Sequence, residues 1–351
     1  SAVDIVRPLK SIYGTIFLSS RCRRVTMFSR RVQAAATRGV SFGASSLQGR
    51  RPSQEDRYTT IEQLAPGCGF YAVYDGHGGE RAAVFASAAM QARLQASPGF
   101  GKRDYAAGLL QAFSEVERDF LALAERDGLS DGTTAVVALV EPTVLTVAHV
   151  GDSRGVLCRG GAAVPITDDH KPEVAAERRR IEALGGFVSY IGARSPSFRS
   201  PLSPADLRGI LRVLSGCWRA MGILAMSRAI GDLFLKPYVS AVPDVKALPL
   251  EESDEFVVLA SDGLFDVFDN EQVVRIVRAA DDPQHAASLL TKSALAAGSL
   301  DNITAIVVAL RGYRPRQIDA HSPAELATAT AAQPRAAAAA AVAAATAATH
   351  A

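Results

Sequence analysis

A chain of 351 residues at 48% hydrophobic composition is long enough to bury a full core, in one large domain or two modest ones. Its 38 basic and 36 acidic residues leave a formal charge of +2, so no global field draws it to nucleic acid or to an acidic substrate. Four cysteines, Cys22, Cys68, Cys158 and Cys217, show neither CxxC nor Cys/His zinc spacing and read as reduced thiols.

Residues 1–38 carry eight Lys or Arg, among them Arg7, Lys10 and Arg38, against the single acid Asp4. That is the composition of a transit segment, and equally of a solvated basic extension. The expected location is therefore cytoplasmic, with mitochondrion or plastid as the alternative. No apolar run approaches the roughly 18 residues that span a bilayer; the best candidate, Ile12 to Leu18, is short and interrupted. The chain begins at Ser1 rather than Met, so an anchor upstream would not be visible.

Between the two ends, β-rich runs alternate with helical patterns. Strands are expected at Val40–Leu47, Gly69–Tyr74, Thr134–Val140, Val144–Val150, Arg154–Cys158, Phe256–Ala260 and Ile303–Leu310. Helices are expected at Glu80–Gln95, Tyr105–Arg126, Glu173–Leu184, Asn270–Ala280 and Pro283–Ala297. The short link Glu141-Pro142-Thr143 implies an antiparallel hairpin. Strands arrive in clusters rather than in strict alternation with helices, which points to an α+β fold. The expected division is a basic extension at 1–38, a catalytic domain at 39–312 and a low-complexity tail at 313–351, Ala/Thr-rich from Ala327 onward.

The chemistry is carried by acidic residues at strand ends, followed by glycine. "GFYAVYDGHGG" places Asp75 after an apolar run, with Gly76 in the turn; "FVVLASDGLFD" repeats the design with Asp262 and Gly263. "TVAHVGDSRG" supplies Asp152, and "SLDNITAIVV" sets Asp301 before a strand. One Asp-Gly is ordinarily a plain turn. Four strand-edge carboxylates converging without basic partners would repel one another unless cations share the site. All-oxygen donors select Mg²⁺ or Mn²⁺ over zinc. "GRRPSQEDRY" adds Arg51, Glu55 and Asp56; a guanidinium fork beside such a site suits a phosphate dianion, the plain alternative being a surface ion pair. His77 is either a general acid or a polar turn residue.

In order along the chain, "RRPSQEDRY", "YAVYDGHGG", "DGTTAVVALV", "LTVAHVGDSRGVL", "GILAMSRAIGD", "VVLASDGLFDVFDNEQVV" and "DNITAIVV" resemble the metal-dependent type 2C serine/threonine phosphatases. The wording is nearest to the protein phosphatase 1-like branch. The resemblance implies two packed antiparallel sheets with helices on both outer sides. It implies two Mn²⁺ or Mg²⁺ ions bridged by Asp75, with Asp262 and Asp301 on the first and Glu55 and the Gly76 carbonyl on the second. Asp56 would orient waters, Arg51 would hold phosphate and His77 would protonate the leaving oxygen. Asp152, Asp262 and Asp266 match a weaker third metal position. The implied reaction is attack of a two-metal-activated water on phosphoserine or phosphothreonine, without a phosphoenzyme. The implied partners are phosphorylated proteins, stress-pathway kinases by branch, met by a monomer that binds no nucleic acid.

Two departures stand out. An insertion at Ala193–Cys217 separates "GGFVSYIG" from "WRAMGILAMSRAIGD", which family members join almost directly. Gln54 and Phe265 replace the family's usual Met and Trp, though neither is a ligand position. The competing reading is an inactive relative that binds phosphoproteins as a scaffold; a missing ligand would favour it, and every ligand is present.

Overall fold

The alternation of side chains along each strand explains the layering. In the strand Cys68–Tyr74, Phe70, Ala72 and Tyr74 pack with one hydrophobic cluster, while Tyr71 and Val73 pack with another. Both faces are covered, which is why the run reads as continuously apolar. The computed structural model describes residues 41–192, 216–311 and Tyr313. The basic extension, nearly all of the insertion and the Ala/Thr tail lie outside the described residues.

The strands are β1 (Phe42–Leu47), β2 (Arg57–Ala65), β3 (Cys68–Tyr74), β4 (Gly76–His77), β5 (Gly132–Thr133), β6 (Ala135–Val140), β7 (Val144–Val150), β8 (Arg154–Arg159), β9 (Ala162–Pro165), β10 (Val188–Ile191), β11 (Cys217–Ala220), β12 (Ile230–Gly231), β13 (Asp244–Pro249), β14 (Asp254–Ala260) and β15 (Ile303–Ala309). The helices are α1 (Arg81–Ala96), α2 (Pro98–Gly101), α3 (Tyr105–Asp127), α4 (Ala175–Ala183), α5 (Asp262–Phe265), α6 (Asn270–Arg278) and α7 (Pro283–Ala296).

Two five-stranded antiparallel sheets form, in the orders β1-β15-β14-β8-β9 and β13-β7-β6-β3-β2. Tyr71, Val73, Val136, Ala138 and Val147 of the second sheet meet Leu157, Val257, Leu259, Ile306 and Val308 of the first in one core cluster. Outside the first sheet, Val258 and Val307 pack with Val274 and Val277 of α6 and with Leu290 of α7. Outside the second, Phe70 and Val137 pack with Met90 of α1 and with Leu109 and Phe113 of α3. The result is a four-layer α+β sandwich, as the sequence predicts. Each fully buried Leu or Phe contributes roughly 1.5–3 kcal/mol.

Local signals set the boundaries. Asp104 caps α3 by accepting from the Ala107 amide at 3.1 Å, and Gly128 ends it with a left-handed φ of 66°. Asp269 and Gln272 form a capping box at the start of α6. The hairpin between β6 and β7 is antiparallel as expected, with Val140 opposite Leu145. β2 is not predicted, because "RYTTIEQLA" is a partly exposed edge strand without clean alternation. β10 and β11 pair as a hairpin, Ile191 opposite Cys217, so the insertion leaves and returns at its tip.

Candidate active site

Five strand ends meet at one edge of the sandwich. Asp75 follows β3, Asp152 follows β7 and Asp262 follows β14; Glu55 and Asp56 precede β2, and Asp301 precedes β15. Antiparallel pairing puts the start of β2 beside the end of β3, Arg57 opposite Tyr74. Cross-sheet hydrogen bonds tie the edge together: Ser261 Oγ donates to Asp56 Oδ2 at 2.8 Å, and the Glu55 amide donates to Asn302 Oδ1 at 2.8 Å. The Asp75 turn is clamped by Thr134, whose Oγ1 accepts from the Asp75 amide at 3.1 Å and whose amide donates to the Asp75 carbonyl at 2.9 Å. Gly76 is required for closeness, since a Cβ there would sit 2.7 Å from the Glu55 carbonyl oxygen.

The carboxylates share one electrostatic environment. Burial, then the neighbouring charges of Asp56, Asp262, Asp152 and Asp301, push the Asp75 carboxyl well above the usual range. Burial followed by Asp152 and Asp301 pushes Asp262 up to about 7. Asp56 rises to about 6, chiefly through burial, against hydrogen bonds from Thr304 and Ser261. Asp262, Asp266 and Asp301 each bring an oxygen within 4.8 Å of the others. Asp152, Lys171, Asp262 and Asp266 line one cleft.

The expectation that the carboxylates lack basic partners needs correction. Lys171 pairs with Asp152, and Arg51 grips Asp301 with both arms, at 2.7 and 3.1 Å. The guanidinium read as a phosphate holder is thus engaged by a neighbouring carboxylate. Arg154 lines the same cleft but is taken up by Asp169 at 2.8 Å, so among the described residues Lys171 and Arg51 are set against seven acids: Glu55, Asp56, Asp75, Asp152, Asp262, Asp266 and Asp301. Asp56 Oδ1 and Asp152 Oδ1 are buried without a hydrogen-bond partner among the described residues. Excess negative charge, orphaned buried oxygens and an all-oxygen donor set fit hard divalent cations.

His77 stands apart on a small sheet, β12-β5-β4. Its Nε2 faces both oxygens of Asp232, at 3.0 and 2.8 Å. Burial lowers the proton affinity of the ring, but the bond and charge of Asp232 outweigh it and the balance is upward. Asp232 was missed in the sequence, as were Thr134 and Lys171. Each acts through a partner distant along the chain, and only the acid at the end of "GILAMSRAIGD" hinted at a role.

A second cluster brings together His149, His170 and Asp244. The His rings stack with centroids 4.5 Å apart. His170 Nδ1 accepts from the Gly151 amide at 3.1 Å, which leaves the neutral ring's hydrogen on Nε2, facing Asp244 at 3.4 Å. That nitrogen offers no lone pair to a metal, and Arg228 already neutralises Asp244 at 2.7 Å. The cluster instead braces the Gly151 turn, because the His170 amide also donates to the Gly151 carbonyl at 3.0 Å.

A carboxylate-rich edge with an arginine and a histidine defines a hydrolytic site suited to phosphate esters. The profile of the family described as "Protein phosphatase 2C" matches residues 40–303. The chain belongs to the protein phosphatase 2C family. It is 39% identical over 270 residues to "Probable protein phosphatase 2C 59" of Arabidopsis thaliana, covering 76% of this chain and 79% of that one. It is 38% identical over 272 residues to "Probable protein phosphatase 2C 45" of Oryza sativa subsp. japonica, covering 76% and 86%. Among solved structures, the serine-threonine phosphatase 2C from Toxoplasma gondii superposes with a TM-score of 0.66 at 25% identity, over 78% of this chain and 96% of that one.

Proposed function

We propose that this chain hydrolyses phosphoserine and phosphothreonine esters on proteins with the help of two Mn²⁺ or Mg²⁺ ions. The observation that carries this reading is the cluster of buried, mutually repelling carboxylates with orphaned oxygens at one sheet edge. Asp75, Asp262, Asp301, Glu55 and the Gly76 carbonyl would hold the two ions, with Asp152 and Asp266 beside Asp262 for a weaker third. Such ions supply Lewis acidity and an activated water.

The remaining roles belong to the protein. Asp56, fixed by the Ser261 hydroxyl, keeps Oδ1 free to orient water. Arg51, half exposed at the rim, exchanges Asp301 for a phosphate dianion that accepts the same two parallel hydrogen bonds. His77 gives a proton to the departing seryl or threonyl oxygen. The rim position of Arg51 suits a phosphorylated side chain presented by a protein surface.

Turnover of a phosphothreonine peptide set against a sugar phosphate, with the metal-loaded chain, tests the substrate class. The expected result is a kcat/KM for the peptide at least about tenfold higher, a difference of about 1.4 kcal/mol. Equal or better turnover of the sugar phosphate would assign the site to metabolite esters. A folded, metal-binding chain that turns over neither would be a scaffold.

A further inference from the structure

His77 and Asp232 are 155 residues apart in sequence and meet only because three two-residue strands align. Gly76 and His77 pair with Thr133 and Gly132, which pair in turn with Ile230 and Gly231. Gly132 lies directly against the contact, and a Cβ there would overlap both His77 Nε2 and Asp232 Oδ2. Asp232 adopts a left-handed φ of 52°, a conformation Asp and Asn accept more readily than other side chains. Its amide donates to the Asp131 carbonyl at 3.0 Å, and the preceding Gly231 amide donates to Glu117 Oε2 at 2.8 Å. Lys236 completes the clamp by bridging Glu117 at 2.6 Å and the Ala229 carbonyl at 3.0 Å.

The carboxylate fixed in this way is buried and directs both oxygens at one edge of one ring. The opposite nitrogen, His77 Nδ1, is buried and has no hydrogen-bond partner among the described residues. A buried polar atom without a partner, two residues from the Asp75 turn, awaits a ligand atom.

We propose that Asp232 is the positioning residue for His77: its carboxylate holds the Nε2–H edge, so that Nδ1 is the atom that meets the leaving seryl or threonyl oxygen. This rests on the phosphatase reading above. In the step, a water oxygen forms the new P–O bond as the P–O bond to the side chain breaks; the water's proton leaves with the inorganic phosphate or to solvent, and the departing oxygen takes the proton from Nδ1. Nε2–H stays on Asp232, and solvent returns a proton to Nδ1 once the alcohol has left. Asp232 itself touches no substrate.

The test compares wild type, Asp232→Asn, His77→Gln and the double variant, all Mg²⁺-loaded. Asparagine is isosteric and tolerates the left-handed backbone, so D232N keeps the fold. The expected result is a fall in kcat on a phosphothreonine peptide of about 10- to 100-fold with KM within about twofold. Turnover of p-nitrophenyl phosphate, whose leaving group needs no proton, stays within about threefold of wild type. The double variant is no slower than H77Q alone. Losses that multiply in the double variant, or an equal loss on the aryl ester, would overturn the proposal.

Imidazole ¹⁵N–¹H spectra of the Mg²⁺-loaded wild type give a readout independent of turnover. A protected Nε2–H on His77 that disappears in D232N supports the pair, and a hydrogen-bonded Nδ1 with free Nε2 would overturn it. A chain with the protected Nε2–H but no turnover of any phosphate ester would refute the phosphatase reading and leave the positioning pair standing.

Discussion

Asp262 is buried beside Asp152 and Asp301, and its carboxyl is held at about 7 rather than the ordinary 3.8. A folded value above the unfolded one weakens the fold: the cost begins as pH rises past 3.8, is complete above about 7, and vanishes in acid. Asp262→Asn should therefore abolish turnover and yet raise the Tm of the metal-free protein at pH 8 by roughly 3–8 °C. At pH 3.5 the difference should be close to zero, and calorimetry at both values checks the sign. Glu177 is the opposite case. Burial raises its carboxyl, but Arg228 and Arg180 overcome this and hold it at about 2. The stability it contributes is present above 4.5 and is lost as pH falls toward 2. Glu177→Gln should lower Tm by roughly 3–6 °C at pH 7, with the gap narrowing between pH 4.5 and 2 in thermal melts. At this scale the acids before glycine were legible, because an apolar run ending in Asp-Gly announces a strand meeting a tight turn. Asp232 and Lys171 were not, since their partners His77 and Asp152 lie in other segments.

The hairpin β10–β11 sets its own register, Val188 opposite Ala220 and Ile191 opposite Cys217. Deleting residues 193–215 would join Gly192 to Gly216 and leave Ile191-Gly-Gly-Cys217, the two-residue turn that hairpins favour. The shortened protein should melt within about 3 °C of the parent and keep its metal-dependent turnover within about threefold, because the closure cost of a long connection between paired strand ends changes only slowly with its length. A collapse of folding in circular dichroism would mean that the insertion supports the hairpin. Gly263 behaves differently: a Cβ there would overlap the Asn302 carbonyl and push Asp301 away from Asp262. Gly263→Ala should cost about 1–3 kcal/mol in urea unfolding and weaken Mn²⁺ binding at least tenfold by calorimetric titration. The long helices and the buried strands were readable because their periods persist over many residues. The trio β4, β5 and β12 was not, since two residues carry no period and the pairing joins segments far apart in sequence.

The whole molecule follows from two sheets that each need cover on both faces. The even and odd positions of β3 divide between the inter-sheet core and the helices α1 and α3. The first sheet meets α6 and α7 in the same way. Clustered apolar runs made an α+β fold legible and the resemblance implied the two-sheet sandwich; antiparallel pairing then gathered the ends of β3, β7 and β14 with the starts of β2 and β15 at one edge. The convergence of carboxylates was readable as a demand for cations; the share of that demand met by Arg51 and Lys171 was visible only in three dimensions. The most direct measurement is hydrolysis of a phosphothreonine peptide by the purified chain with Mn²⁺, with Mg²⁺ and with chelator, beside Asp262→Asn. Turnover that appears only with metal and falls at least about a hundredfold in the variant is the predicted result. Turnover that persists in chelator, or survives in Asp262→Asn, would contradict it.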